Sequence, residues 1–329
     1  MKYVYSKSTD PYWNLALEQY LFDSGDESYF MLWQNDNAII IGKNQNTSME
    51  INEDFVKDND IKVVRRLSGG GAVYHDLGNL NFTFITDSRS SKIDFSVFCG
   101  PVIQALKSLG VTAELSGRND MTIGGKKFSG NAMYQTADRT LCHGTLMFDS
   151  NLEMLSGALK ASKQRFKGVK STPSAVTNIK PWMKGDFTIG EFLAALKEFM
   201  FKTYALTEYC LTPPQLARVD KLRADVYSTR DWNYGASPSY KIHRESYITG
   251  CGKLDILMDI RLSRIKNIRI YGDFFGMGDV RDIENLLKNR RLENPELLKV
   301  LENIDINSYF KGLSAKELAG LLTGTAEAV

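Results

Sequence analysis

Apolar positions along the chain recur at two spacings, one helical and one of strand type. Asp10-Pro11 reads as an N-cap and first helical residue, after which Trp13, Leu17, Tyr20 and Leu21 fall on one helical face. "YFMLW" (29–33) and "AIIIG" (38–42) are aromatic and β-branched runs of strand type, and "INEDFVKDND" a short helix. "IKVVRR" (61–66) predicts a strand entering three successive glycines; "AVYHD" and "LNFTFIT" predict strands leaving them, joined by a turn at Gly78. "FSVFCGPVIQALKSLG" predicts a helix that stops at Gly110, in the C′ position. A long hairpin spans Lys126 to Asp149, "NLEMLSGALKAS" is helical, and "KQRFKGVKSTPSAVTNIKPW" is a basic loop without periodicity. Thr188 and Glu191 form a capping box for a helix ending near Leu206, and Thr212-Pro213 opens another.

From 235 to 245 "GASPSYKIHRE" reads as a linker. Beyond it "ESYITG", "KLDILMDIRLS" and "IKNIRIYGDFF" predict a small antiparallel sheet, with helices in "VRDIENLLKN", "NPELLKVLEN" and "SAKELAGLL". The expected organisation is one domain over 1–242 and a small accessory α+β domain over 243–329. Runs of strands with helices between some of them indicate an α+β class, not a doubly wound sheet.

Composition narrows the function. Basic residues (41) nearly balance acidic ones (39), which argues against an extended nucleic-acid surface but leaves room for a local basic pocket. No run is long enough to span a membrane, and "MKYVYSKSTDPYW" lacks the apolar stretch of a signal peptide. Cys99, Cys142, Cys210 and Cys251 are far apart, so the expectation is reduced thiols in the cytoplasm and no structural zinc. Three histidines without carboxylate-rich spacing argue against a protein-caged transition metal, and no metal ligand is assigned.

Two stretches carry candidate chemistry. In "VVRRLSGGGAVYHDLGNLNFTFI" a flexible turn and an anion site are both open readings of Gly69, Gly70 and Gly71. Arg65 and Arg66 before them, and His75 and Asp76 after, favour the anion, because exposed N–H groups and a guanidinium bind one together. In "KKFSGNAMYQTADRTLCHGTLMFD" a turn centred on Asp138 places Lys127, Ser129 and Asn131 on one face with His143 and Thr145. The opposite face then holds Phe128, Gly130, Ala132, Tyr134, Cys142, Gly144, Leu146 and Phe148 as core. Such a polar side is usually solvated; its short side chains favour a ligand pocket. Arg118, Asn119 and Asp120 stand at a nearby strand end.

Together "RRLSGGGAVYHDLGNLNF", "GRNDMTIGGKKFSGNA", "HGTLMFD" and "YGDFFGMGD", in this order, resemble the bacterial two-domain lipoate–protein ligases over essentially the whole chain. The resemblance implies a core like that of class II aminoacyl-tRNA synthetases and biotin–lipoate ligases. It implies activation of lipoate or octanoate with ATP to an acyl-adenylate, with pyrophosphate escorted by Mg²⁺. The acyl group then passes to a lysine of a lipoyl domain, in a 2-oxoacid dehydrogenase E2 subunit, the glycine-cleavage H protein or an H-like protein. Lys127 is the implied catalytic residue, contacting the lipoyl carboxyl and the α-phosphate, while Lys126 points to solvent. Arg66 with the backbone of Gly71, Ala72, Val73 and Tyr74 would bind ATP, and Ser68, Gly69 and Gly70 would close over the acyl chain. His75, Asn119, Asp120 and His143 would line the same pocket. The loop at 163–178 departs from the family: Pro173 and Ala175 stand where relatives carry arginine, though Lys167 and Lys170 remain. Two alternatives stand beside this: an ATP-independent octanoyl or lipoyl transferase using a cysteine thioester, and a non-catalytic lipoate-binding protein.

Overall fold

A computed structural model describes residues 1–25, 27–88, 94–117, 119–160, 176–235 and 240–325. The chain forms two compact units. The first comprises Met1–Ile41, Glu50–Leu67 and Ala72–Asn233; the second comprises Gly42–Met49, Ser68–Gly71 and Tyr234–Val329.

The strands are β1 (Lys2–Tyr5), β2 (Tyr29–Trp33), β3 (Ala38–Ile41), β4 (Lys62–Arg65), β5 (Val73–His75), β6 (Asn79–Asp87), β7 (Glu114–Ser116), β8 (Asp120–Ile123), β9 (Lys126–Gln135), β10 (Arg139–Met147), β11 (Thr207–Glu208), β12 (Ile242–Ile248), β13 (Gly252–Arg261) and β14 (Arg264–Gly272). In the first unit eight of them make a mixed sheet in the order β11-β1-β2-β6-β10-β9-β8-β7, and β4-β3-β5 make a smaller one. This is the α+β class expected. β6 and β10 are buried on both faces, which is why they read as continuous apolar and short-polar runs.

One face of the large sheet receives the helix Pro11–Asp23. Its start is fixed as expected, the Asp10 carboxylate accepting the Tyr12 N–H at 3.1 Å. Leu15, Leu17 and Leu21 pack there with Met31, Trp33, Ile85 and Leu141, and with Ala38, Ile40 and Val64 of the small sheet. The other face carries Phe82 and Phe84; Phe84 meets Phe98 of the helix Ser96–Ser108, and Phe148 stacks on Phe192 of the helix Ile189–Thr203 at 4.8 Å.

The β9–β10 hairpin corrects the expected register. His143 lies opposite Ala132 and Gly144 opposite Asn131, so the turn is the two-residue Ala137-Asp138, with Thr136 N–H donating to Arg139 O. Shifting a pairing by one residue moves partners to opposite faces. Asn131 and Ser129 therefore share the face of Cys142, Gly144 and Phe82, not that of His143. Lys127 nevertheless returns to the His143 face. Met121 pairs with Ser129 but Thr122 pairs with Lys127, so Phe128 is the extra residue of a β-bulge. A bulge flips every side chain on one side of it. The expected companionship of Lys127 and His143 is right, but its stated reason, simple alternation, is wrong.

In the second unit β12-β13-β14 form an antiparallel sheet. Leu254, Ile256, Met258, Ile268 and Ile270 pack under Ile283, Leu287, Leu297, Leu301, Leu318 and Leu322. Ile242–Glu245, expected in the linker, already pair with Met258–Asp255; β12 is an edge strand, and its polar residues read as loop. The segments Gly42–Met49 and Ser68–Gly71 are held in this unit by specific bonds. Gly272 N–H donates to Asn44 O and Lys43 N–H to Ser68 O, both at 2.8 Å. A Cβ on Gly69 would stand 2.4 Å from the Phe274 carbonyl oxygen, so only glycine fits.

Two glycines should respond oppositely to alanine. A Cβ at Gly144 would lie 2.0 Å from Asn131 Oδ1 and 2.6 Å from the Phe82 ring, whereas one at Gly190, in the first turn of the helix Ile189–Thr203, meets only Thr188 Oγ1 at 4.0 Å. Gly144→Ala should cost about 1–3 kcal/mol by overpacking, and Gly190→Ala should add roughly 0.4–1 kcal/mol. Denaturant midpoints at constant m-value check both.

Candidate active site

Lys127 begins the site. The bulge turns its side chain across Gly130, whose absent Cβ would sit 3.2 Å from Lys127 Nζ. Asp120, paired with Gly130 across the β8–β9 ladder, receives the ammonium at 2.8 Å. Both side chains are little more than one-third exposed, so the pair is reachable from solvent. The start of β9 is also bound to the segment that follows the basic loop, Thr177 N–H donating to Lys127 O at 2.8 Å.

Moving inward on the same face, Thr145 lies beside Gly130 and hydrogen-bonds its backbone N–H at 3.1 Å. Two residues further, about 7 Å along the strand, comes His143. Gly130 and Ala132 are small, so the floor between Lys127 and His143 is low.

At the inner end the side chains are buried and polar. His143 Nδ1 contacts Glu18 Oε1 at 2.9 Å and Oε2 at 3.0 Å. Thr83 donates to the same carboxylate at 2.7 Å and accepts from Trp33 Nε1 at 2.9 Å. Arg66 is fully buried and donates from Nη1 to Ile40 O at 3.0 Å. Burial lowers its pKa to about 10, and the Glu18 carboxylate works in the opposite direction. It stays a cation at neutral pH.

His75 completes this end. Asn14 Nδ2 donates to Asn35 Oδ1 at 2.9 Å, which aims the Asn35 amide NH₂ at His75 Nδ1, 3.1 Å away. Nδ1 is thus the acceptor, and the ring proton sits on Nε2, which is buried with no hydrogen-bond partner among the described residues. Burial first, then Arg66 and His143, lower its pKa to about 3. This buried end therefore holds a guanidinium, a neutral imidazole with a spare donor, and the His143–Glu18 pair.

The other sequence candidates divide. Tyr74 OH donates to Asn37 Oδ1 at 3.0 Å, and burial raises its pKa to about 12. Ala72 and Val73 lead into β5, where Val73 pairs with Ile40. Asn119 locks onto Asn131 by backbone and side-chain bonds on the strand edge, with Ser129 Oγ also donating to Asn131 Oδ1. Ser68, Gly69, Gly70 and Gly71 belong to the second unit, and Gly70 has a left-handed φ of 89°. Two residues expected to favour an anion serve structure. Arg65 donates to the Trp232 and Asn233 carbonyls, and Asp76 accepts the Gly78 and Asn151 N–H groups. Arg118 and most of the loop at 163–178, including Lys163, Lys167, Lys170, Pro173 and Ala175, lie outside the described residues.

Sequence reasoning missed Glu18 and Thr83. Asn14 and Glu18, one turn apart among the apolar residues of one helix, were the available signal: a buried stripe interrupted by two polar residues at i, i+4. Cys142 is buried on the far face, and burial pushes its thiol well above its ordinary pKa. In the second unit His243, Glu245 and Asp255 approach within 4.8 Å, a grouping the sequence spacing did not announce. Lys253 Nζ already stands 2.9 Å from Asp255 and 3.5 Å from Glu245 there.

Around this sheet the chain matches one catalytic class: residues 10–201 match the lipoyl protein ligase A/B catalytic domain, and residues 237–322 match the bacterial lipoate protein ligase C-terminus. The lipoate-protein ligase LplJ of Bacillus subtilis is 44% identical over 322 residues, 95% of this chain and 97% of its own. Lipoate–protein ligase 1 of Staphylococcus aureus is 41% identical over 329 residues, 98% of this chain and 100% of its own. The chain belongs to the lipoate–protein ligase family. Its fold is that of P. falciparum LipL1, solved with lipoate, at a TM-score of 0.80 and 23% identity, covering 98% of each chain. A lipoate-protein ligase A solved with ATP superposes at a TM-score of 0.61 with 29% identity, over 71% of this chain and 98% of that one. No helix among the described residues is long and apolar enough to cross a membrane.

The state of His75 sets a pH dependence. Its folded pKa, about 3, lies below the ordinary 6.5, so the unfolded chain takes up a proton that the fold refuses. Its contribution is complete above pH 6.5 and is lost as pH falls toward 3, at a limiting slope of about 1.4 kcal/mol per pH unit. His75→Gln should flatten stability across that window relative to wild type, as read by denaturation at a series of pH values.

Proposed function

We propose that this chain joins lipoate, or octanoate, to the acceptor lysine of a lipoyl domain through an acyl-adenylate. The carboxylate oxygen attacks the α-phosphorus of ATP and pyrophosphate leaves. The acceptor amine then attacks the acyl carbonyl, loses its proton and expels AMP. Two anions must meet in the first step, so the site has to supply positive charge where negative charge gathers. The observation that carries the reading is Lys127, brought by the bulge onto the face of His143 and steadied by Asp120 at 2.8 Å.

In this reading Lys127 bridges the acyl carboxyl and the α-phosphate. Arg66 and the backbone of Gly71, Ala72, Val73 and Tyr74 take the nucleotide. Ser68, Gly69 and Gly70 close over the acyl chain; His75, Asn119, Asp120 and His143 shape the pocket. Mg²⁺ would accompany the pyrophosphate and keep much of its water shell. Lys127, Arg66, His75 and His143 of the first unit perform activation, and the small sheet and helices beyond residue 234 form the accessory domain. The acceptor is an E2 lipoyl domain, a glycine-cleavage H protein or an H-like protein. A solved archaeal ligase, 29% identical over 73% of this chain, is described with its E2 lipoyl domain. Four unpaired cysteines suit a reducing cytoplasm.

A thioester transferase fits the geometry less well, because Cys142 is buried, its thiol strongly disfavours ionisation, and it faces away from Lys127. Cys142→Ser should keep acyl transfer within about threefold of wild type, with no acyl-thioester trapped by mass spectrometry. Lys127→Ala should lower pyrophosphate release with lipoate and ATP by roughly 10²–10³-fold at an unchanged circular dichroism spectrum. Near-normal release from Lys127→Ala would remove the lysine from its assigned role.

A further inference from the structure

The tip of the β13–β14 hairpin is built in a way that folding alone does not explain. Its two central residues, Leu262 and Ser263, both have left-handed backbone, with φ of 50° and 58°. Such turns favour Asn-Gly, because a larger side chain clashes with its own backbone in that region. Leu262 is also 88% exposed, so the leucine gains nothing by packing.

The turn is held firmly. Leu292 N–H donates to Ser263 O at 2.8 Å, Ile265 N–H to Arg290 O at 2.9 Å, and Asn289 N–H to Ile265 O at 2.8 Å. Arg264 Nη1 donates to Asn289 O at 2.7 Å. These bonds set four exposed arginines around the leucine: Arg261, Arg264, Arg290 and Arg291. Arg261 pairs directly with Arg264 across the hairpin, and Arg264 bridges to Arg291. Like charges directly opposite destabilise a sheet. Local compensation is slight, with Glu293 3.8 Å from Arg291 and Glu296 accepting the Arg291 N–H.

A rigid, exposed apolar anchor rimmed by guanidinium groups is suited to a protein surface that offers carboxylates around an apolar notch. Phosphate backbones have no use for the leucine, which sets a protein above a nucleic acid. We propose that this hairpin tip docks the acceptor lipoyl domain during transfer, through a face of that domain that presents carboxylates around an apolar notch. The proposal rests on the ligase reading above and adds a recognition surface remote in sequence from every residue assigned to acyl activation.

The test uses the full chain with a purified E2 lipoyl domain bearing its unmodified lysine. Arg261→Glu and Leu262→Asp should each raise the KM for that domain by about tenfold, while pyrophosphate release with lipoate and ATP stays at the wild-type rate. Added salt should raise the wild-type KM and have less effect on Arg261→Glu. Leu262→Asn separates docking from folding: asparagine tolerates left-handed backbone, so the variant should be at least as stable as wild type yet bind the acceptor more weakly. An unchanged KM in Leu262→Asn and Arg261→Glu overturns the proposal. So does an effect of these variants on binding to duplex DNA with acceptor KM unaltered. Absence of pyrophosphate release from the wild type would instead refute the ligase reading, and direct calorimetric binding of the lipoyl domain to the same variants would still decide the docking surface.

Discussion

The first unit is assembled around a charge that cannot be left alone. Glu18 is almost wholly excluded from water, and an unpaired carboxylate there would cost several kcal/mol. Its partners come from different elements: Thr83 from β6, His143 from β10, and Arg66, beyond the end of β4, through the field of the carboxylate. Satisfying one anion thus fixes a helix on the large sheet and sets the buried arginine in the same region. The Asn14–Asn35–His75 chain adds the neighbouring strand ends, so these buried polar groups are fixed by one another. Preorganised dipoles of this kind need little rearrangement when negative charge develops nearby.

Much of this was legible from the residues. Capping pairs such as Thr188 with Glu191, and Ser314 ahead of the helix Ala315–Thr323, mark helix starts because the bonding is local. The β-branched and aromatic runs located the strands for the same reason. Pairing is not local, and there the reading failed. A turn centred half a residue from its true position put Asn131 on the wrong face, and a bulge hidden at Phe128 returned Lys127 to the right one. Neither a register nor a bulge leaves a mark in one strand taken alone. Glu18 escaped because a lone acidic residue in an amphipathic helix ordinarily faces solvent.

The division of the chain also defies a linear reading. Gly42–Met49 and Ser68–Gly71 lie early in the sequence but belong with residues beyond 234. Only contacts such as Gly69 against the Phe274 carbonyl reveal it, and they join positions too far apart for any periodicity to report.

That distance has a meaning in time. Gly69 leaves the ribosome 205 residues ahead of Phe274 (274 − 69), an interval of about 10–40 s at ordinary elongation rates. The strands on either side of the glycines can pair long before the carbonyl that shapes Gly69 has been synthesised. The glycine turn is thus among the last parts of the molecule to acquire its packing, and a nascent chain passes through a stage with its sheet built and its glycine turn unfinished.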